Sequence, residues 1–208
     1  MSQAIESPWK DGRDRRLERQ IKQEAVLMTA AKIFSTRGYH RTSLDLVAKQ
    51  LNITKPTLYY YFKNKEALLA ACMQHGLEMV DNGAAYAAQE KDNCSAIVKL
   101  TTYLESYARF VLTDFGRCAI LISDAELSEA SKKKIRSIRA RIDSQIQSIT
   151  REGIADGTIA SSNPKFTASA LAGALNSIAH WSHTPSSSHD RFIAEFIGLL
   201  IEGVAPRT

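Results

Sequence analysis

The stretch Lys55-Pro56-Thr57-Leu58-Tyr59-Tyr60-Tyr61-Phe62-Lys63-Asn64-Lys65 sets ammonium groups, a hydroxyl and three phenol rings side by side. Successive residues of a helix step by about 100°. Leu58 and Phe62 therefore share one face, Pro56 and Tyr60 point away from it, and Tyr59 and Tyr61 sit on its flanks. The three rings cannot share one burial surface, so at least one meets solvent or a partner. Clustered exposed aromatics mark an interaction surface, and interleaved lysines say of what kind. Ammonium and hydroxyl groups hold phosphates, while Thr57 and a tyrosine ring suit thymine methyl groups in a major groove.

Other candidate chemistries are thinner. His180 and His183 lie three apart, with His189 and Asp190 beyond, so a metal- or histidine-dependent enzyme is the rival reading. Neither a glycine-rich phosphate loop nor a nucleophile motif accompanies the pair, and no catalytic residue, metal site or cofactor is expected. Cys72, Cys94 and Cys118 are too widely spaced for a zinc site or a disulfide framework. They read as small buried hydrophobes in a reducing compartment. The run Lys132-Lys133-Lys134-Ile135-Arg136-Ser137-Ile138-Arg139-Ala140-Arg141 reads as a solvated helix face, with an anionic effector as its alternative partner.

The elements that must carry these residues are helical throughout. Leu27, Ala30, Ala31 and Phe34 follow helical spacing, and Gly38 ends that helix after Arg37. Leu44, Val47, Ala48 and Leu51 define a second, with Thr42 and Asp45 spaced as a capping box. Asn52 tolerates the left-handed conformation that closes it. Thr54 caps a third helix, Pro56 sits in its first turn, and Ile53 and Leu58 form a hydrophobic staple. Asn64 caps the next, whose Leu69, Cys72, Met73, Leu77 and Val80 share a side. Two short helices joined by a tight turn and preceded by a longer one make a helix-turn-helix. Further helices are expected over residues 95–115 (broken by Gly116), 125–151, 165–182 and 189–204.

Charge divides the chain. Residues 1–66 hold 13 Lys+Arg against 7 Asp+Glu, whereas the remainder holds 14 against 15. A polyanion-binding head on a neutral body follows. The expected organisation is a flexible basic arm over 1–16, a helix-turn-helix domain over 17–66 and a ligand-binding and dimerisation domain over 67–208. No apolar run reaches the ~20 residues of a membrane span, and the N-terminus lacks a secretory apolar stretch. The expected location is the cytoplasm. A non-specific architectural DNA binder would account for the head but leaves the body without employment.

The segment from Arg41 to Cys72 resembles the DNA-binding domain of TetR-family transcriptional regulators. The resemblance rests on Gly38-Tyr39, Thr42-Ser43, Val47-Ala48, the run from Lys55 to Phe62, and Lys65-Glu66-Ala67-Leu68. Asn52 stands where the family usually has glycine. The resemblance implies an all-α fold, a three-helix DNA-binding domain followed by a helical ligand-binding and dimerisation domain. It implies phosphate contacts from Thr42, Ser43 and Lys65, and base or backbone contacts from Lys55, Pro56, Thr57, Tyr59, Tyr60 and Tyr61. It implies a homodimer on a palindromic operator in double-stranded DNA, acting as a repressor released by a small-molecule effector. The C-terminal half resembles the acyl-coenzyme A-sensing subgroup. Tyr103, Tyr107, Phe110 and Trp181 are candidate apolar walls of an effector site, and Asn176 and His180 its candidate polar groups.

Overall fold

The computed structural model describes residues 15–89, 94–180 and 188–205, and all regular structure among them is helical. The sequence-expected basic arm lies outside them but for its last residues, which already belong to α1. Helix α1 (Arg15–Arg37) packs on α2 (Leu44–Gln50) and α4 (Lys65–Gln89), and α3 (Lys55–Tyr61) packs on α2. Gly38 closes α1 at φ 82° and Asn52 closes α2 at φ 53°. Both occupy the left-handed region, which glycine enters freely and asparagine tolerates. The cap of α2 falls one residue later than the spacing suggests: Ser43, not Thr42, accepts the Leu46 N–H.

The body holds α5 (Ala96–Val111), α6 (Asp114–Leu121), a 3-10 turn (Asp124–Glu126), α7 (Glu129–Ala155), α8 (Pro164–Ser177), a second 3-10 turn (Ile178–His180) and α9 (His189–Val204). Helix α4 runs the length of the junction, packing on α1 at one end and on α5, α6 and α7 along its course. The isoleucines of α7, Ile135, Ile138, Ile142, Ile146 and Ile149, are all buried, as their three- and four-residue steps require.

One expected boundary is displaced. The break after α5 comes at Leu112, where Thr113 caps α6, so Phe115 belongs to α6. Gly116 does not end a helix. It lies within α6 because a Cβ there would collide with the carbonyl oxygen of Phe110. The glycine marks a close backbone approach, and sequence alone does not separate that from a helix stop. Cys72 and Cys118 are buried as expected, but Cys94 is exposed.

Candidate nucleic-acid interface and effector cavity

Helix α3 is short because both its ends are satisfied. Thr54 Oγ1 accepts the Thr57 N–H at 3.3 Å, and Asn64 Oδ1 takes the Ala67 N–H at 2.7 Å to start α4. Between these caps Leu58 is fully buried and Phe62 is 6% exposed, whereas Tyr60 is 65% and Tyr59 44% exposed. The two faces separate as the helical wheel requires. Tyr61 is half-buried, packs against the core and meets the Tyr60 ring edge-on at 5.2 Å.

Around the exposed rings stand Lys55, Pro56 and Ser43, all exposed. Ser43 spends only its acceptor on the α2 cap, so its O–H is free to donate. Lys55 Nζ pairs with Asp45 Oδ2 at 2.9 Å across the tips of α2 and α3. This hydrogen bond and charge raise the Lys55 pKa. Thr57 is partly buried, its hydroxyl 2.8 Å from that of Thr54.

Two residues expected on this surface serve another purpose. Thr42 is 3% exposed and donates its hydroxyl to Gly38 O at 2.8 Å. Its side chain is enclosed by the loop and cannot reach a phosphate. Lys65 Nζ donates to Tyr39 O at 3.0 Å and Thr42 O at 3.1 Å, and lies 4.0 Å from the Tyr39 ring centroid. Two of its three protons thus point into the loop before α2. Lys65 is a cation that holds the loop between α1 and α2 to the start of α4.

Sequence reasoning missed one member of the surface. The guanidinium of Arg19, on α1, lies 5.3 Å over the exposed Tyr60 ring, within cation–π range. Arg19 is far from Tyr60 in the chain, and only the crossing of α1 and α3 brings them together.

The body contains a partly open cavity of about 590 Å³ lined by residues of α4 to α8. Leu77, Ala119, Ile120, Ile122, Ile142 and Ala172 form its apolar walls; Ser123, Asp124, Arg139, Asp143 and Ser169 supply polar groups. Of the six candidate effector residues, Tyr107 and Asn176 line it. The Tyr107 O–H donates to Asn176 Oδ1 at 3.0 Å, and burial raises the Tyr107 pKa. The other candidates are elsewhere. Tyr103 is sealed in the core with its O–H on Gln145 Oε1 at 2.7 Å. Phe110 is also core, its ring seated against Gly76. His180 is exposed in the 3-10 turn that replaces the end of α8, and Trp181 lies outside the described residues. The six cations of the basic run in α7 are divided as well. Lys133, Lys134 and Arg136 are exposed, whereas Arg139 turns to the cavity and Arg141 pairs with Asp81.

A second apolar groove lies open between α8 and α9. Phe166, Ala170, Leu171, Leu199, Leu200 and Val204 line it, and Phe166 and Leu199 are each 70% exposed.

Comparison with known proteins places these features. The family described as bacterial regulatory proteins, tetR family, matches residues 26–72, and the tetracyclin repressor-like C-terminal domain matches residues 93–204. The HTH-type transcriptional regulator YhgD of Bacillus subtilis (strain 168) is 30% identical over 148 residues, 71% of this chain and 76% of that protein. The transposon Tn10 TetC protein of Escherichia coli is 29% identical over 89 residues, 43% of this chain and only 44% of its own length. Among solved structures, AibR in complex with isovaleryl coenzyme A and operator DNA shares the fold. Its TM-score is 0.75 at 22% identity, over 86% of this chain and 97% of that one.

Proposed function

The chain belongs to the TetR family and is a transcriptional regulator, and we propose that it is a dimeric repressor whose grip on a palindromic operator is relaxed by an effector in the α4–α8 cavity. The observation that carries the reading is the division of α3, with Leu58 sealed inward while Tyr59, Tyr60 and Lys55 face out. A buried hydrophobic anchor fixes the helix, and the outward groups are not needed to bury its core face.

Residues 17–66 form the reading head and 67–208 the body, with α4 common to both. Tyr59 and Tyr60 offer flat apolar area to base edges, with Tyr61 beneath them. Lys55, freed from Asp45, turns to a phosphate, and Ser43 donates its hydroxyl to another, while Pro56 and Thr57 shape the approach. One short helix reads few base pairs, so two copies related by a two-fold axis are needed, their reading helices about 34–36 Å apart. The open groove between α8 and α9 fits a second copy of the chain. Phe166 and Leu199 are large apolar side chains left in water by the single subunit, and a two-fold partner would cover both at once.

The effector favours an arrangement in which the helix spacing no longer matches successive major grooves. By linkage, DNA weakens effector binding by the same factor. AibR, solved with isovaleryl coenzyme A, supports an acyl-coenzyme A as effector. The apolar walls of the cavity suit a short acyl chain, and Arg139 in its wall, with the exposed Lys133, Lys134 and Arg136 of α7, offers cations to phosphates. The expected location is the cytoplasm, where operator DNA lies, and the chain is read as a regulator without catalysis.

Competition binding tests this reading. The protein should prefer the DNA upstream of its own gene over random duplex by about 10³ or more at moderate salt. Equal affinity for both would leave a non-specific architectural binder. Isothermal titration with short acyl-coenzyme A thioesters tests the effector class, and no heat from any of them removes it.

A further inference from the structure

Arg139 stands at a place where the cavity wall and the supports of the reading head are the same piece of chain. Its guanidinium donates to Asp124 Oδ2 at 2.7 Å and to Ala119 O at 3.0 Å. Ala119, Asp124 and Arg139 all line the cavity. Asp124 opens the 3-10 turn Asp124–Glu126, and that turn reaches the head. Glu126 Oε1 lies 3.0 Å from His40 Nε2, in the loop between α1 and α2. Just beyond the turn, Ser128 N donates to Glu66 Oε1 at 3.0 Å, next to Lys65, which holds the same loop from the other side. Burial alone would raise the Glu66 carboxyl, but hydrogen bonds from Ser128 and Ser131 hold it below its ordinary value.

The charge inventory of the cavity selects a ligand that can disturb this arrangement. Its charged walls are Asp124, Asp143 and Arg139, with Gln147 donating to Asp143. Adding an anion beside both carboxylates is unfavourable. Exchanging an anion for Asp124 leaves the charge around Arg139 unchanged and keeps a carboxylate-like partner on the guanidinium, the geometry arginine binds best. A neutral ligand has no such exchange to offer.

We propose that Arg139 senses the effector: an oxyanion of the effector takes the place of Asp124 on the guanidinium, and the released turn lets go of His40 and Glu66. This rests on the reading of the cavity as the effector site. The chain of contacts is short, the Arg139–Asp124 ion pair and the His40–Glu126 contact separated by one turn of backbone, and both of its ends are polar contacts that switch by exchange of partner.

Amide hydrogen exchange of the full chain tests the latch without DNA. Asp124→Asn should speed exchange at residues 38–43 and 64–68 while far-UV circular dichroism stays unchanged; unaltered exchange there overturns the proposal. Octanoate should produce the same pattern in the wild type, and octylamine should not. If octylamine produces it, or octanoate fails to, the oxyanion assignment falls. On the upstream duplex, Asp124→Asn should weaken binding about tenfold, and adding Glu126→Gln should weaken it no further, because both changes cut one path. Additive losses, or an unchanged affinity alongside changed exchange, overturn the coupling. A wild type that ignores the duplex removes the regulatory reading, while the exchange data still decide the latch.

Discussion

The reading head and the effector cavity divide labour in opposite ways. In the head, the proposed contact surface and the folding anchor fall on different side chains: Tyr59 and Tyr60 face out, Leu58 and Phe62 face in. In the body, the same side chains do both. Tyr107 and Ile142 are core residues that also form the cavity wall. A surface that binds can be changed without unfolding its support, whereas a cavity that binds is part of its support.

The largest test of that contrast is Leu58→Ala. A fully buried leucine in a well-packed site should cost about 2–5 kcal/mol, read as a large fall in the midpoint of thermal unfolding. A fall no greater than that of an exposed position would mean the head's inner face is not its anchor. Tyr107→Phe probes the body, where stability and ligand response should move together. Leaving Asn176 Oδ1 without its donor should cost about 1–2 kcal/mol and alter effector affinity in the same variant.

Tyr60→Ala should leave stability within about 0.5 kcal/mol and weaken operator binding about tenfold, about 1.4 kcal/mol. Full affinity would count against the proposed docking. The two lysines give the finest comparison. Lys55→Ala should reduce the salt slope of operator binding by about one unit with stability intact. Lys65→Ala should instead lower the unfolding midpoint, because it leaves the Tyr39 and Thr42 carbonyls without their donor. If Lys65→Ala changed only the salt slope, the structural reading of that cation would be reversed. Smallest in energy is a labelling test. Burial pushes the Cys118 thiol up to about 12 and the Cys72 thiol well above its ordinary value. At neutral pH the exposed Cys94 should react with iodoacetamide while Cys72 and Cys118 stay unmodified until the protein unfolds.

Much of the head was legible in advance because its signals are local. A cap, a staple and a left-handed residue each act within one turn of chain, and the positive φ values of Gly38 and Asn52 lie where the residue types placed them. The same local logic misjudged Thr42 and Lys65. Their types suit phosphate, and what engages their donors instead is loop carbonyls brought within reach by the fold. Gly116 failed for a related reason, since only the neighbouring helix end shows that the glycine is a contact and not a stop.

The amino-acid order alone settled the helical periods, the caps of α3 and α4, and the outward turn of Tyr60, because each depends on residues a few positions apart. Tertiary structure alone decided that Arg19 stacks on Tyr60, that Tyr103 is core while Tyr107 is wall, and that Arg139, one cation of the six in the basic run of α7, faces Asp124. Those outcomes depend on helix crossings between segments dozens of residues apart. No spacing along the chain encodes them until packing has set the helices against one another.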